Sequence, residues 1–167
     1  MQNNFFLWSR RSFILAFLTS IIGLVLRPLS VFGASKSENS SWNLSSSEWK
    51  KRLSSEAYSV LRKEGTERPF SSALNNEKRE GFFYCAGCEL PLFSSEMKFD
   101  SGTGWPSFFD HLPEAIETKV DFKLIVPRTE YHCSRCGGHQ GHVFNDGPRP
   151  TGKRYCNNGV ALGFKSA

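Results

Sequence analysis

"GFFYCAGCEL" (residues 81–90) and "TEYHCSRCGG" (residues 129–138) each carry a short β-prone run into a Cys-x-x-Cys turn. The reading of these two stretches decides the fold. They place thiols in pairs at knuckle spacing, Cys85 with Cys88 and Cys133 with Cys136, and 44 residues separate Cys88 from Cys133. Two such knuckles can bring four thiolates to one tetrahedral zinc, each at about 2.3 Å. Gly87, Gly137 and Gly138 fill or follow the knuckles, as tight turns around a metal require. A closed four-cysteine site leaves zinc no open position for chemistry, so its role is structural. Two redox pairs or two disulfides are the competing readings. Against them, neither knuckle opens a helix after a βαβ-type strand.

Working outward, further β-prone runs follow: "AIETKVDFKLIV" (115–126), "HVF" (142–144) and "YCNNGVALGF" (155–164), separated by Gly, Pro, Asn and Asp. Helical periodicity is confined to the region before Gly65. There Ser45 and Glu48 stand at capping-box spacing, and Trp49, Leu53, Ala57, Val60 and Leu61 recur at helical intervals. One helix or two short ones fit, with Ser54 as the restart and Gly65 as the stop. The serine-rich stretch 34–45 lacks periodicity and reads as a flexible linker. The expectation is one small, mainly β domain over residues 46–167, with helices packed at its beginning.

Residues 1–33 are a separate object. "SRRSFILAFLTSIIGLVL" sets two arginines before an apolar run, and small residues follow in "SVFGAS". That is the layout of an export signal, favoured over a single membrane anchor because the run is near the ~18-residue lower limit for spanning. Ser9-Arg10-Arg11-Ser12-Phe13 resembles the twin-arginine export motif, with Ile14 in place of the usual Leu and Leu15 in place of the usual Lys. A cut after Gly33 would put Val31 and Gly33 at the specificity positions, with Ala34 as the alternative. The expected destination is the periplasm or cell envelope, or a thylakoid lumen. Twin-arginine substrates as a class cross folded, so a zinc-thiolate site could assemble in a reducing cytosol first.

The net charge of +5 owes three units to Arg10, Arg11 and Arg27; without them 18 basic residues face 16 acidic ones, a balance of +2. Such a body offers no electrostatic case for nucleic acid. A zinc-ribbon binding module without catalysis remains the alternative reading of the knuckles, and a thiol–disulfide exchanger is a third.

The fifth cysteine stands in "GKRYCNNGVALGF" (152–164). If "RYCNN" is extended, Arg154, Cys156 and Asn158 share one face and Tyr155 and Asn157 the other. A guanidinium and an amide beside a thiol can stabilise a thiolate and bind a polar group. A buried cysteine acting as small apolar filler fits the residues equally well. His139 and His142 lie in the glycine-rich "GGHQGHVFNDG"; with zinc already satisfied, proton transfer suits them better than metal ligation. Trp105, in the loop "SGTGWPSF", could wall a pocket for a methyl or thioether group.

From about Trp49 to Phe164 the chain resembles methionine sulfoxide reductase B, the reductase of protein-bound methionine sulfoxide. "GTERPF", both knuckles, "KFDSGTGWPSF", "PRTE", "GHQGHVFNDGP" and "TGKRYCNN" occur in that family's order. The resemblance implies two antiparallel sheets, one structural zinc on Cys85, Cys88, Cys133 and Cys136, and Cys156 as nucleophile. It implies that Trp105 holds the substrate methyl, that Phe144 helps line the pocket, and that His139, His142, Arg154 and Asn158 position and polarise the sulfoxide. The implied partners are oxidised proteins carrying methionine-R-sulfoxide and a thioredoxin-like or glutaredoxin-type reductant, with the enzyme a monomer. Thr103 stands where many members carry a resolving cysteine, so an external thiol is expected to reduce the Cys156 sulfenic acid directly. Gly159 stands where the family usually has Ser and Gly163 where it often has Arg, so hydrogen bonds lost there bear on activity and substrate preference; Gln140 replaces an apolar residue and bears on pocket polarity.

Overall fold

A computed structural model describes residues 39–167. The expected signal or anchor over 1–33 lies outside the described residues, as does the first part of the expected linker. Among the described residues no helix is long and apolar enough to cross a membrane.

Two short helices open the domain, α1 (Ser46–Arg52) and α2 (Ser55–Lys63). Ser45 closes a capping box with Glu48 at the start of α1, and Ser54 caps α2 by accepting from the Ala57 amide. The chain leaves α2 with Glu64 in the left-handed conformation, and the Gly65 amide donates back to Ser59. Where a linker is expected, Asn39–Trp42 forms a 3-10 turn, and the Trp42 ring stacks on Trp49 at 6.2 Å. That aromatic contact ties down a stretch whose composition reads as solvated.

The rest is two antiparallel sheets. The smaller has the order β2–β1–β9, from β1 (Gly81–Cys85), β2 (Pro91–Ser94) and β9 (Leu162–Ser166). The larger runs β3–β4–β8–β7–β6–β5, from β3 (Lys98–Phe99), β4 (Ser107–Phe108), β5 (Ile116–Asp121), β6 (Arg128–Cys133), β7 (His139–Phe144) and β8 (Arg154–Asn157). Their inner faces meet through aromatic rings: Phe93 of the smaller sheet stacks on Phe108 at 4.1 Å and meets Tyr131 edge-on at 6.3 Å. The mainly β, two-sheet expectation holds.

Two runs divide differently from their composition. "AIETKVDFKLIV" is strand only to Asp121, whose carboxylate accepts from the Lys123 amide and turns the chain. "YCNNGVALGF" is not one strand. It ends β8 at Asn157, passes through a 3-10 turn at Gly159–Ala161, and joins the other sheet as β9. The break occurs because the Glu67 carboxylate accepts from the Gly159 and Val160 amides, which removes them from any ladder.

Candidate active site

The knuckles bring Cys85, Cys88, Cys133 and Cys136 together with all four Sγ within 4.8 Å of one another, and all four are buried. Cys85–Cys136 and Cys88–Cys133 are 3.6 and 3.4 Å apart, so no pair is a disulfide. A tetrahedron with 2.3 Å bonds has edges of about 3.8 Å. The donor set and its spacing therefore fit zinc. Each knuckle is turned by its own backbone: the Glu89 amide donates to Cys85 O, and the Gly137 amide donates to Cys133 O. Because Cys85 ends β1 and Cys133 ends β6, the structural zinc site clips one sheet to the other.

Around the metal ligands the chain supplies orienting bonds. Arg62 Nη1 donates to Cys136 O at 2.9 Å, and its guanidinium lies 4.8 Å from the Trp49 ring. Gln140 is fully buried and donates through Nε2 to Cys85 Sγ at 3.3 Å. This answers the question of pocket polarity raised by Gln140: its amide serves the thiolate cluster and does not line the cavity beside Cys156.

That cavity holds about 120 Å³, and Trp105, His142, Phe144, Cys156 and Asn158 all face it. Strand register does the gathering. On β7 and β8, His142 is paired with Cys156 and Phe144 with Arg154. Gly141 allows the close approach, since a β-carbon there would strike the Cys156 carbonyl. Arg154 and Cys156 share a face as alternation requires, while Tyr155 packs toward Tyr131 and Asn157 accepts from the Tyr131 hydroxyl at 2.7 Å. Asn158 lies just past the strand; its side chain donates to Gln140 O and accepts from the Glu67 amide.

The Arg154 guanidinium lies 4.3 Å from the Phe144 ring and is held by both Asp146 oxygens at 2.8 Å. Burial pushes the Cys156 thiol above its ordinary value, against the charge of Arg154 and hydrogen bonds from Thr103 and Arg154. Arg154 thus acts in the expected direction, but burial outweighs it: the resting group is a thiol. Thr103, where the resemblance leads one to expect a resolving cysteine, acts on the Cys156 thiol through its hydroxyl.

His139 is buried and does not face the cavity. It packs behind His142 with ring centres 5.5 Å apart. Each imidazole is held by a carboxylate: His139 Nδ1 by Glu130 at 2.6 Å and His142 Nε2 by Asp121 at 2.8 Å. Burial opposes ionisation of Glu130, yet hydrogen bonds from His132 and His139 hold it down to about 2. Hydrogen bonds from the Lys123 amide and His142 keep Asp121 well below the usual carboxylate range. Burial pushes His142 below its ordinary value, with Asp121 opposing.

Several members of the site have no role legible in the sequence, although Thr66, Glu67, Arg128 and Glu130 fall within "GTERPF" and "PRTE". Arg128 and Thr66 line the cavity, and Glu67 O accepts from Trp105 Nε1 at 3.2 Å. Asp121 and Glu130 are 21 and 9 residues from their histidines, and only the register of β5, β6 and β7 brings them there. Asp146, inside the "FNDG" motif, could have been found from its spacing to Arg154 across the β7–β8 turn. Of the two glycine departures, Gly159 fills a need: a β-carbon there would collide with the Ser72 side chain. Gly163 faces open space, so nothing around it requires the smaller residue.

A two-sheet β domain with a closed thiolate cluster, and a separate half-buried thiol set among an arginine and carboxylate-held histidines, defines a thiol-dependent oxidoreductase with a structural metal. A family profile described as the SelR domain matches residues 53–166. The chain is 55% identical over 123 residues to a peptide methionine sulfoxide reductase MsrB of Methanosarcina barkeri, covering 73% of this chain and 87% of that relative. It is 50% identical over 137 residues to the chloroplastic peptide methionine sulfoxide reductase B1 of Arabidopsis thaliana (81% and 67%). A relative of the same MsrB description from Leptospira interrogans is 49% identical over 124 residues (74% and 95%). The chain belongs to the SelR-domain family of methionine sulfoxide reductases B.

Proposed function

We propose that the chain reduces methionine-R-sulfoxide in proteins to methionine, with Cys156 as nucleophile. The observation that carries this reading is the single thiol facing a small cavity, with Trp105 and Phe144 as apolar wall and a carboxylate-held imidazole at its side. Trp105 and Phe144 receive the methyl group by dispersion and aromatic–sulfur contact. Asn158, on the same wall, orients the sulfoxide.

The chemistry follows from the protonation states. At neutral pH the resting pair is a Cys156 thiol and a neutral His142. Moving the thiol proton onto the histidine pair creates the thiolate, which Arg154 stabilises, and an acid at the same time. Cys156 Sγ attacks the sulfoxide sulfur, and the proton goes to the sulfoxide oxygen. The resulting hydroxyl then passes to Cys156 Sγ as the sulfur–oxygen bond and the transient sulfur–sulfur bond break, so methionine leaves and Cys156 is left as sulfenic acid. The sulfoxide sulfur gains the two electrons that Cys156 loses. The four knuckle thiols, engaged with zinc, supply structure and no electrons.

The sulfenic acid is reduced by two external thiols, from a thioredoxin-like or glutaredoxin-type donor, releasing water and a disulfide. The contact of Thr103 with Cys156 supports this route, because it fills the place a resolving thiol would take. The protein works as a monomer. Residues 1–33 direct it through a twin-arginine route to the periplasm or cell envelope, or to a thylakoid lumen, with membrane anchoring as the alternative outcome; the motif Arg10-Arg11 supports this. A reporter fused to residues 1–33 should be exported, and Arg10→Lys with Arg11→Lys should stop it.

Turnover of an R-sulfoxide methionine peptide with dithiothreitol, wild type beside Cys156→Ser, tests the main reading; an inactive, zinc-loaded, folded wild type overturns it. Mass spectrometry after one turnover without reductant should find a sulfenic acid on Cys156 and no internal disulfide. The pH profile carries a further test. One proton is shared between a thiol raised above 9.0 and an imidazole lowered below 6.5. Activity should therefore stay level between those values, falling below as the imidazole loses its capacity to accept and falling above as the shared proton is lost.

A further inference from the structure

Exposed apolar side chains concentrate in one place. Phe122, Leu124, Ile125 and Val126 are 74%, 56%, 103% and 72% exposed, and all lie in the connection between β5 and β6. A soluble surface normally scatters such residues singly, and a contiguous group marks a contact surface. The connection is also fastened to the site at both ends. At its start Asp121 holds His142; at its end Arg128 lines the Cys156 cavity and donates to Asp121 at 2.7 Å. A connection of six residues cannot carry its tip more than about 10 Å from that base. The apolar tip therefore stays within about 10 Å of the two residues that fasten it to the substrate cavity.

A second exposed ring follows a cavity-lining residue in the chain. Phe70, four residues after the cavity-lining Thr66, is exposed and held at φ +62° by a 2.7 Å bond from its amide to Gly104 O. A bulky residue in the left-handed region is strained, and here the strain presents an apolar ring to solvent.

We infer that the 122–126 tip is a docking surface for the substrate polypeptide itself, gripping apolar residues that flank the methionine sulfoxide in an extended segment. This rests on the reductase reading above. The charges around the tip favour a polypeptide over an anionic lipid surface. Lys119 and Lys123 are both engaged by Glu64, at 2.6 and 2.5 Å, and Arg128 by Asp121. The cations that would draw such a surface are already neutralised. The tip thereby selects loosened chains, in which apolar residues stand next to the oxidised methionine, over the polar surface of an intact fold.

The test compares three substrates with the full chain: N-acetyl-methionine-R-sulfoxide, a peptide with Leu and Phe flanking the sulfoxide, and one with Ser and Glu flanking it. The variant combines Phe122→Ser, Leu124→Ser, Ile125→Ser and Val126→Ser; Ile125→Ser alone serves as a milder form that folding does not need. Wild type should favour the apolar peptide over the polar one. The combined variant should lose roughly tenfold or more in kcat/KM on the apolar peptide, through KM, and Ile125→Ser a few-fold. Turnover of the single amino acid should be unchanged in both. Equal losses on the amino acid and the peptide would assign the tip to cavity structure and overturn the inference. So would unchanged peptide kinetics, whether accompanied by lost binding to phosphatidylglycerol vesicles or by a lost dimer. A wild type that fails even on the amino acid would instead remove the reductase reading beneath it.

Discussion

Two groups of thiols in this chain share one functional group and have opposite fates. Four are buried together, each facing other thiols, at the joint between the sheets. The fifth, half-buried, faces a guanidinium, a threonine hydroxyl and a cavity. The difference lies in the neighbours: thiols that meet each other are committed to metal and to holding the fold, while a thiol that meets Arg154 across from His142 keeps a proton it can give up. One region contributes stability without chemistry. On the proposed reading, the other carries the chemistry.

The strongest way to break that contrast is to remove one metal ligand. Zinc binding contributes on the order of 10–16 kcal/mol to small zinc domains, against a typical domain stability of about 5–15 kcal/mol. Cys133→Ser should therefore leave less than one zinc per chain and no cooperative melt, by metal analysis and calorimetry; a zinc-free chain that still melts sharply would end the staple argument. Cys156→Ser is the reverse case. It should lose activity by at least about a thousandfold while keeping its zinc and its melting temperature. Arg154→Ala sharpens the contrast within the site. Its charge lowers the Cys156 value, so its removal should move the alkylation midpoint of Cys156 further up and reduce kcat/KM by about 10–100-fold; a midpoint that moves down would reverse the assigned role. Thr103→Ala removes one hydrogen bond from the thiol and should act in the same direction with only a few-fold loss, on the order of one net hydrogen bond.

The two thiol groups also differ in how far their sequence could be read. The knuckles are local: four cysteines at fixed spacing announce the cluster, just as Ser45 and Glu48 announce a helix start. Strand alternation correctly put Arg154 beside Cys156 and Tyr155 behind it. What could not be read depends on register. Nothing near His142 in the chain points to Asp121, and nothing near His139 points to Glu130, because those carboxylates arrive from other strands. Arg128 and Thr66 reach the cavity in the same way. Composition also misled at two places, for a stated reason each: the Asp121 side chain ends an apolar run by turning the backbone, and Glu67 takes the amides that would have continued β8.

Glu67 has a mechanical consequence. Its amide, carbonyl and carboxylate bind Asn158, Trp105, Gly159 and Val160, so the wall carrying Trp105 is bolted to the segment that follows Cys156. Neither side can swing away alone, and the opening behaves as a die of set shape. A die does not search for its workpiece. The oxidised side chain has to be delivered into it, and the freedom of movement that delivery demands belongs to the damaged protein.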